Sequence, residues 1–290
     1  MKLAKNHCHD FQLRHASGHQ IVRRVAAFLA IACVIGLASA RAYAQDEISV
    51  SSCPGQPKIP VALQIDCSHV SDAASKQLCR PFIQNQACKV FPAYRKITGI
   101  KLEQTCPAIK FTIYDDANWP HPKGEGGLAL HCAVDYLTEY SIKFRSNSKL
   151  GPYDVHELLH EYQMALGPLP SPHVLFGPSM AEAMREVGDV EGYQQRVKSM
   201  QGEAQRLKEK LDGEKGKPAA NDCMIAQTQV EESLYLENNR NVYMFYLKLP
   251  PAKGSSQGER DARFDRMFYV VSGGGKSPVK QFLTDHGCAF

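Results

Sequence analysis

Eight cysteines between residues 53 and 288 constrain the fold of this 290-residue chain more than any other feature. None of them belongs to a CxxC pair, the spacing that is typical of cysteine-bound metal sites. An even number of cysteines without that spacing favours disulfides made in an oxidising compartment. We therefore expect four disulfides, although eight cysteines allow on the order of a hundred pairings and the sequence chooses none of them. The eight are Cys53, Cys67, Cys79, Cys88, Cys106, Cys132, Cys223 and Cys288.

The first 44 residues are predicted to be a secretory signal peptide. Arg23 and Arg24 precede an apolar run at 25–40, and the small residues AYA at 42–44 fit a cleavage site. The apolar run is short for a membrane span. We expect cleavage after Ala44 and a secreted or periplasmic protein, with retention of the leader as a membrane anchor as the alternative.

The basic charge of the chain lies in this leader. The whole chain has a formal net charge of +4, of which residues 1–44 carry +5 and the remainder −1. A mature chain so close to neutrality does not indicate nucleic-acid binding. We expect a peptide or protein substrate, no nucleic-acid partner and, once the leader is cleaved, no membrane association. The sequence leaves the oligomeric state open.

Hydrophobic periodicity and turn residues predict an α+β fold with a mainly helical C-terminal part. The expected helices lie at 72–97, interrupted by Pro81 and Pro92, and from about residue 180 to 211; the expected strands lie at 100–114, 127–134 and 140–146. A linker is expected at 212–222, followed by helical segments at 235–249 and 262–271. These elements divide the chain into the signal peptide 1–44, a disulfide-bearing core 45–190 and a helical part 191–290 that completes the cleft.

Two histidines lie four residues apart in the segment YDVHELLHEYQMAL at 153–166. On a helix capped by Asp154, His156 and His160 lie one turn apart on nearly the same face, so their imidazoles can bind one metal ion. A purely structural metal site has no need of Glu157 between them, but a general base for a metal-bound water would occupy this position. A separate apolar stripe can pack the helix, formed by Val155, Leu159, Tyr162 and Leu166.

This motif resembles that of the zincin metallopeptidases, most closely their gluzincin branch. The resemblance covers about residues 72–190 and implies a mixed sheet whose edge strand, near 127–134, receives an extended substrate. In that family the motif histidines bind Zn²⁺, the motif glutamate is the general base, and a glutamate on a later helix completes the ligand set. Carried over to this chain, these roles fall on His156 and His160, on Glu157 and on Glu182.

The third ligand is the least determined part of this resemblance. Glu182 stands 22 positions after His160, and Ala183 follows it where the family often has glycine. The metzincin branch fits poorly, because the glycine and third histidine that it needs are missing at their spacing. Other suitable donors remain, namely Glu186, Asp189 and His173.

The sequence thus predicts an exported zinc-dependent peptidase that hydrolyses peptide bonds with Glu157 as general base. The alternative is a non-catalytic, disulfide-stapled binding domain with a structural or vestigial metal site. In the family, a tyrosine or histidine from the C-terminal part often assists the reaction. The candidates here are Tyr235, Tyr243, Tyr246, Tyr269 and His286, and the sequence selects none of them.

Overall fold

The computed structural model describes residues 46–55, 58–143, 155–169, 171, 173–213, 220–237, 241–271, 281, 284–285 and 287–288. The chain divides into two compact units, 1–45 and 46–290, and all of these residues belong to the second. The predicted signal peptide, the predicted cap Asp154 and His286 lie outside the described residues. Within those ranges, no helix combines the length and the hydrophobicity that a membrane span needs.

A five-stranded mixed sheet forms the centre of the described unit, in the order β1-β2-β3-β5-β4. The inner strands β2, β3 and β5 run parallel, while β1 and β4 pair antiparallel at the two edges. Alternating residues of β3, such as Ile109, Phe111 and Ile113, are buried. The strands are β1 Glu47–Val50, β2 Ala62–His69, β3 Ala108–Tyr114, β4 Gly127–Leu130 and β5 Ala133–Leu137.

Helices pack against this sheet and make up the C-terminal part, so the predicted α+β class is confirmed. Phe82 of the first helix packs edge-on against Phe111 and Tyr136 of the sheet. The predicted helix 72–97 is confirmed as α1, a π-helical turn at Gln86–Val90 and α2. The interruption expected at Pro81 is wrong, because Pro81 lies inside α1, whereas Pro92 lies in the first turn of α2. The helices are α1 Ala73–Asn85, α2 Phe91–Thr98, α3 His156–Ala165, α4 Phe176–Glu186, α5 Val190–Gly213, α6 Ala220–Glu237, α7 Asn241–Lys248 and α8 Gln257–Val271.

The strand predictions need correction in three places. The strand expected at 127–134 is two strands, because Cys132 adopts a left-handed φ of 61° and reverses the chain between β4 and β5. The strand expected at 100–114 begins only at Ala108, since Leu102–Gln104 form a 3₁₀ turn. Residues Glu139–Lys143 are π-helical rather than extended, and 144–146 lie outside the described residues.

The linker expected at 212–222 is also too long. Helix α5 continues to Gly213 and α6 begins at Ala220. The residues between them, 214–219, lie outside the described part of the chain. The helical character predicted for 235–249 and 262–271 is confirmed for the residues that α6, α7 and α8 contain.

All eight cysteines that follow the predicted leader form disulfides, as predicted. Two of the disulfides join α1 and the π-helical turn to the strand region, a third joins the β4–β5 turn to the chain before β3, and a fourth ties α6 to the C-terminal residues. The pairs are Cys67–Cys79, Cys53–Cys88, Cys106–Cys132 and Cys223–Cys288.

Two tyrosines fix helix α3, which carries the histidine pair, onto helix α2. The hydroxyl of Tyr94 donates to the carbonyl of Val155, and the hydroxyl of Tyr162 donates to the carbonyl of Phe91 at 2.9 Å. Val155, Leu159 and Tyr162 are buried, which confirms the predicted apolar stripe. The opposite face of α3 is therefore free to carry polar chemistry.

Candidate metal centre

Three histidine side chains come together beside helix α3. His156 and His160 project from α3, and His173 comes from the connection between α3 and α4. One ligand atom from each lies within 4.8 Å of the others. The ring centroids of His156 and His160 are 5.2 Å apart, and those of His160 and His173 are 5.3 Å apart. The structure thus joins the predicted pair with one of the donors that the sequence left open.

Phe176, the first residue of α4, packs against all three imidazoles. Its ring centroid lies 4.5 Å from that of His156, 4.4 Å from His160 and 5.2 Å from His173. Only 4% of the side chain is exposed. Phe176 therefore restricts the rotation of the three rings. Sequence reasoning missed it, because an apolar residue at the start of a helix is ordinary and carries no signal of its own.

The environment of the histidines favours the uncharged imidazole. Burial lowers the pKa of His160 to about 4, and the neighbouring His156 and His173 add smaller contributions in the same direction. Burial also lowers the pKa of His173. A neutral imidazole keeps a nitrogen lone pair available to a metal ion, so such a site need not release protons to bind one at neutral pH.

Gln163 links the two segments that carry the histidines. Its Nε2 donates to the carbonyl of Val174, next to His173, at 2.9 Å. The same side chain interacts with His160 and with the hydroxyl of Tyr246, whose pKa burial raises to about 12. The amide nitrogen of Gln163 is thus engaged by Val174. The amide oxygen makes no hydrogen bond of good geometry among the described residues. Gln163 is thus placed to orient His160.

The chain after His173 is fixed from the C-terminal part. Leu175 adopts a left-handed φ of 50°, and its amide donates to Glu231 of α6 at 2.7 Å. The other oxygen of Glu231 accepts from Gln227 at 3.2 Å. Burial raises the pKa of Glu231 to about 8, although both hydrogen bonds act in the opposite direction. A buried carboxyl group therefore stabilises an unfavourable backbone conformation two residues from a histidine of the site.

Glu157 lies between α3 and the edge strand β4. Its Oε1 is 3.7 Å from Nε2 of His156, and 7% of the residue is exposed. A Cβ atom at Gly127 of β4 would lie only 2.7 Å from that same oxygen. Glycine is therefore needed at position 127 for the carboxylate to lie this close to the strand.

Glu161, one turn after Glu157, joins α3 to the turn between β4 and β5. Its Oε2 accepts from the amide of Cys132 at 3.0 Å, and the carboxylate also accepts from the amide of Ala133. Burial raises the pKa of Glu161 to about 7. Because Cys132 is disulfide-bonded to Cys106, the acceptor on α3 meets a turn that is covalently held in place.

The structure does not bring Glu182 into the histidine group. Glu182 is fully buried, accepts from the hydroxyl of Tyr235 at 2.7 Å and pairs with Arg185. The other carboxylates considered from the sequence also have partners elsewhere. Glu186 accepts from Tyr243 at 2.8 Å and from Lys96, and Asp189 accepts from the amide of Gly192 at 2.9 Å. Of the four donors considered, His173 is the one placed beside the pair.

A second cluster of possible ligands has a simpler explanation. Cys106, His131 and Cys132 also place ligand atoms within 4.8 Å of one another. The two cysteines form a disulfide, so they offer no thiolate to a metal ion. His121, which precedes β4, lies 2.8 Å from the carboxylate of Asp135 and is occupied by that contact.

Comparison with known proteins adds no assignment to this geometry. No family model, curated protein or solved structure matches the chain. The gluzincin resemblance remains a prediction from the sequence.

The lowered pKa of His160 is open to direct measurement in the metal-free protein. We expect its ring resonances to titrate near pH 4 in a histidine-selective NMR experiment, well below the usual 6.5. In a His156→Asn variant the pKa should rise but stay below 6.5, because burial is the larger cause. Titration of His160 near 6.5 in the wild type would contradict the buried, neutral site.

Proposed function

We propose that this chain is an exported zinc-dependent peptidase in which His156, His160 and His173 hold Zn²⁺ and Glu157 is the general base. The observation that carries the proposal is the group of three imidazoles, with ligand atoms within 4.8 Å of one another, beside the buried Glu157. Catalytic zinc sites combine three protein ligands with an open position for water, and three histidines are a known set. The residues present therefore fit zinc.

The proposed ligand set differs from the gluzincin prediction in one residue. His173 replaces Glu182, whose carboxylate is engaged with Tyr235 and Arg185. Three neutral imidazoles leave the full charge of Zn²⁺ at the site, whereas a carboxylate ligand would cancel half of it. The nearby carboxylate of Glu157 provides negative charge without serving as a ligand.

Zinc would supply a bound water with a pKa lowered toward about 7 and would polarise the substrate carbonyl. Glu157 would accept the proton of the attacking water and pass it to the leaving amine. Its position between His156 and Gly127 supports this role, because the carboxylate is held next to the histidines and largely shielded from solvent. Gln163 and Phe176 would hold the rings in place.

The sheet offers a place for an extended peptide near Glu157. Strand β4 stands last in the strand order, and β5 is the strand that it pairs with among the described residues. The backbone groups on its other side can therefore pair with an added strand. Because Gly127 of β4 touches Glu157, a peptide paired with this strand would pass beside the proposed base.

Export is supported by the four disulfides, since such bonds persist in oxidising compartments, together with the predicted leader at 1–44. The competing function is the non-catalytic binding domain that retains a metal. Both functions require the histidines, whereas only the peptidase requires Glu157. A variant of Glu157 and a variant of a histidine therefore distinguish the two functions.

The third ligand can be identified by metal content. Purified mature wild-type protein should contain about one zinc per chain by elemental mass spectrometry, and His173→Ala should lose most of it because one of three protein ligands is gone. Glu182→Gln should keep zinc, since that side chain lies outside the histidine group. The opposite pattern, zinc kept without His173 and lost in Glu182→Gln, would restore the gluzincin assignment.

The role of Glu157 can be separated from metal binding. Glu157→Gln preserves size and helix preference but removes the base, so zinc content should stay at the wild-type level while peptide hydrolysis falls by roughly a hundredfold or more. His160→Ala should lose both zinc and hydrolysis. If Glu157→Gln cleaves a mixed peptide library as fast as the wild type, the proposed mechanism is wrong.

Gln163 should affect zinc affinity beyond any general effect on folding. Gln163→Met removes its polar contacts with Val174, His160 and Tyr246 at similar size. We expect zinc affinity to fall by about tenfold to a hundredfold in a chelator competition. Gln86, an equally buried glutamine on the π-helical turn, provides the matched control Gln86→Met. Equal zinc affinities for the two variants would reduce Gln163 to a packing residue.

A further inference from the structure

A pocket of about 400 Å³ opens beside His160. One wall is the last part of α3, including His160, Gln163 and Met164, and the facing wall is the loop that carries Gly167, Pro168 and Leu169. Met164 follows His160 by four residues and so lies on the same side of the helix, one turn farther along. The pocket and the histidine group thus share a residue.

The loop wall of this pocket is held by a buried arginine. Arg263 of α8 donates through Nη2 to the carbonyl of Leu166 at 2.8 Å and through Nη1 to that of Pro168 at 3.0 Å. Its Nε donates to the carbonyl of Pro250 at 2.6 Å. Burial lowers the pKa of the guanidinium. A buried charge whose hydrogen bonds go to backbone carbonyls fixes the loop, so the pocket has a defined shape.

The backbone conformation of this loop and its close contact with a neighbouring segment both require a glycine. Gly167 has a φ of +77°, and a Cβ atom there would lie 3.0 Å from the Cβ of Ala252. Glycine therefore allows the chain to turn after α3 and to pack closely against Ala252, two residues from the Pro250 carbonyl that Arg263 contacts. Both features support the wall opposite Met164.

The side chains around the pocket select for an uncharged, apolar group. Met164, Pro168 and Leu169 supply its apolar surface, and the described lining residues include no carboxylate, lysine or arginine. The polar lining side chains are uncharged, namely Gln163, Ser171 and His160, whose pKa burial lowers to about 4. A charged side chain entering this space would lose hydration without gaining an opposite charge. An apolar side chain would instead bury its surface against methionine, proline and leucine.

We propose that this pocket binds the apolar side chain of a substrate residue next to the cleaved bond, and that Met164 is the residue that determines this selectivity. The inference rests on the proposed peptidase function and adds the substrate class to it. His160 borders both the pocket and the metal group, so the pocket lies next to the proposed zinc site, where the side chain of a residue near the cleaved bond can enter it. The exposure of Met164, 40%, leaves its sulfur and methyl group accessible to such a substrate.

The test compares Met164→Glu with a matched methionine elsewhere. Met244 on α7 has a similar exposure of 37% and does not line the pocket, so Met244→Glu controls for the added charge. The zinc-loaded proteins are given a peptide library in which each position varies, and cleavage sites are read by mass spectrometry. Zinc content shows whether the site remains intact in each variant.

We expect the wild type and Met244→Glu to prefer leucine, methionine or phenylalanine at one position beside the cleaved bond. Met164→Glu should lose about tenfold or more in kcat/KM on those peptides and gain preference for lysine or arginine there. Met164→Ala should relax the preference without introducing a charge preference. Zinc content should be equal in all four proteins.

Two failures can be told apart. A wild type that cleaves the library while Met164→Glu keeps the same residue preference overturns the pocket assignment and leaves the peptidase intact. A zinc-loaded wild type that cleaves no member of the library overturns the peptidase function and, with it, the substrate pocket.

Discussion

The candidate site depends on one buried carboxyl group, that of Glu161, and on the two backbone amides that it accepts from. The amides of Cys132 and Ala133 belong to the turn between β4 and β5, and the acceptor belongs to α3. This contact sets where the histidine helix stands along the edge of the sheet. Glu157, one turn earlier on the same face, is thereby brought against Gly127. If the turn shifted, the proposed base would lose its place beside both β4 and His156.

The ten residues of α3 divide into three faces that serve different purposes. The apolar face packs into the core and onto α2, the carboxylate face meets the β4–β5 turn, and the histidine face meets the chain that precedes α4. Side chains three and four residues apart share a face of a helix, so this division follows from the order of residues in HELLHEYQ. If the sequence were shifted by one residue along the helix, a histidine would take a buried position and Leu159 an exposed one.

Much of the histidine helix was predictable, because its evidence is local. The spacing of His156 and His160 and the separate apolar stripe can both be recognised from residues of one short helix, and the structure agrees with both. The even cysteine count likewise predicted four disulfides, although not their pairing. Strands β1 and β2 were missed even though Leu63, Ile65 and Cys67 alternate in the sequence as they do in burial. That signal was present, and the nearby prolines and glycine of the preceding segment obscured it.

The sequence included His173 among the possible third donors but could not select it, for a different reason. Its position depends on contacts between residues far apart in sequence: Leu175 with Glu231, and Arg263 with the loop after α3. Glu182 satisfies a family spacing approximately, but the local sequence does not reveal that Tyr235, 53 residues later, takes up its carboxylate. A helix motif can be recognised from adjacent residues, whereas a ligand set that closes across a loop requires the tertiary structure.

Two other buried carboxyl groups lie behind the histidines and have a structural role that differs from the one proposed for Glu157. Burial raises the pKa of Glu161 to about 7 and that of Glu231 to about 8, and backbone amides or a neutral glutamine, rather than cations, are their hydrogen-bond partners. Because both pKa values lie above the ordinary 4.5 of a glutamate, the stability that these groups contribute is fully present below about pH 4.5 and is lost as the pH rises toward 7 and 8. Near neutrality Glu231 is mainly protonated and Glu161 is only partly ionised, so the two groups hold the His173 segment and α3 with less than their full negative charge. Glu157 is the glutamate whose carboxyl group lies 3.7 Å from His156 and against Gly127 of the edge strand, where we propose that a peptide binds.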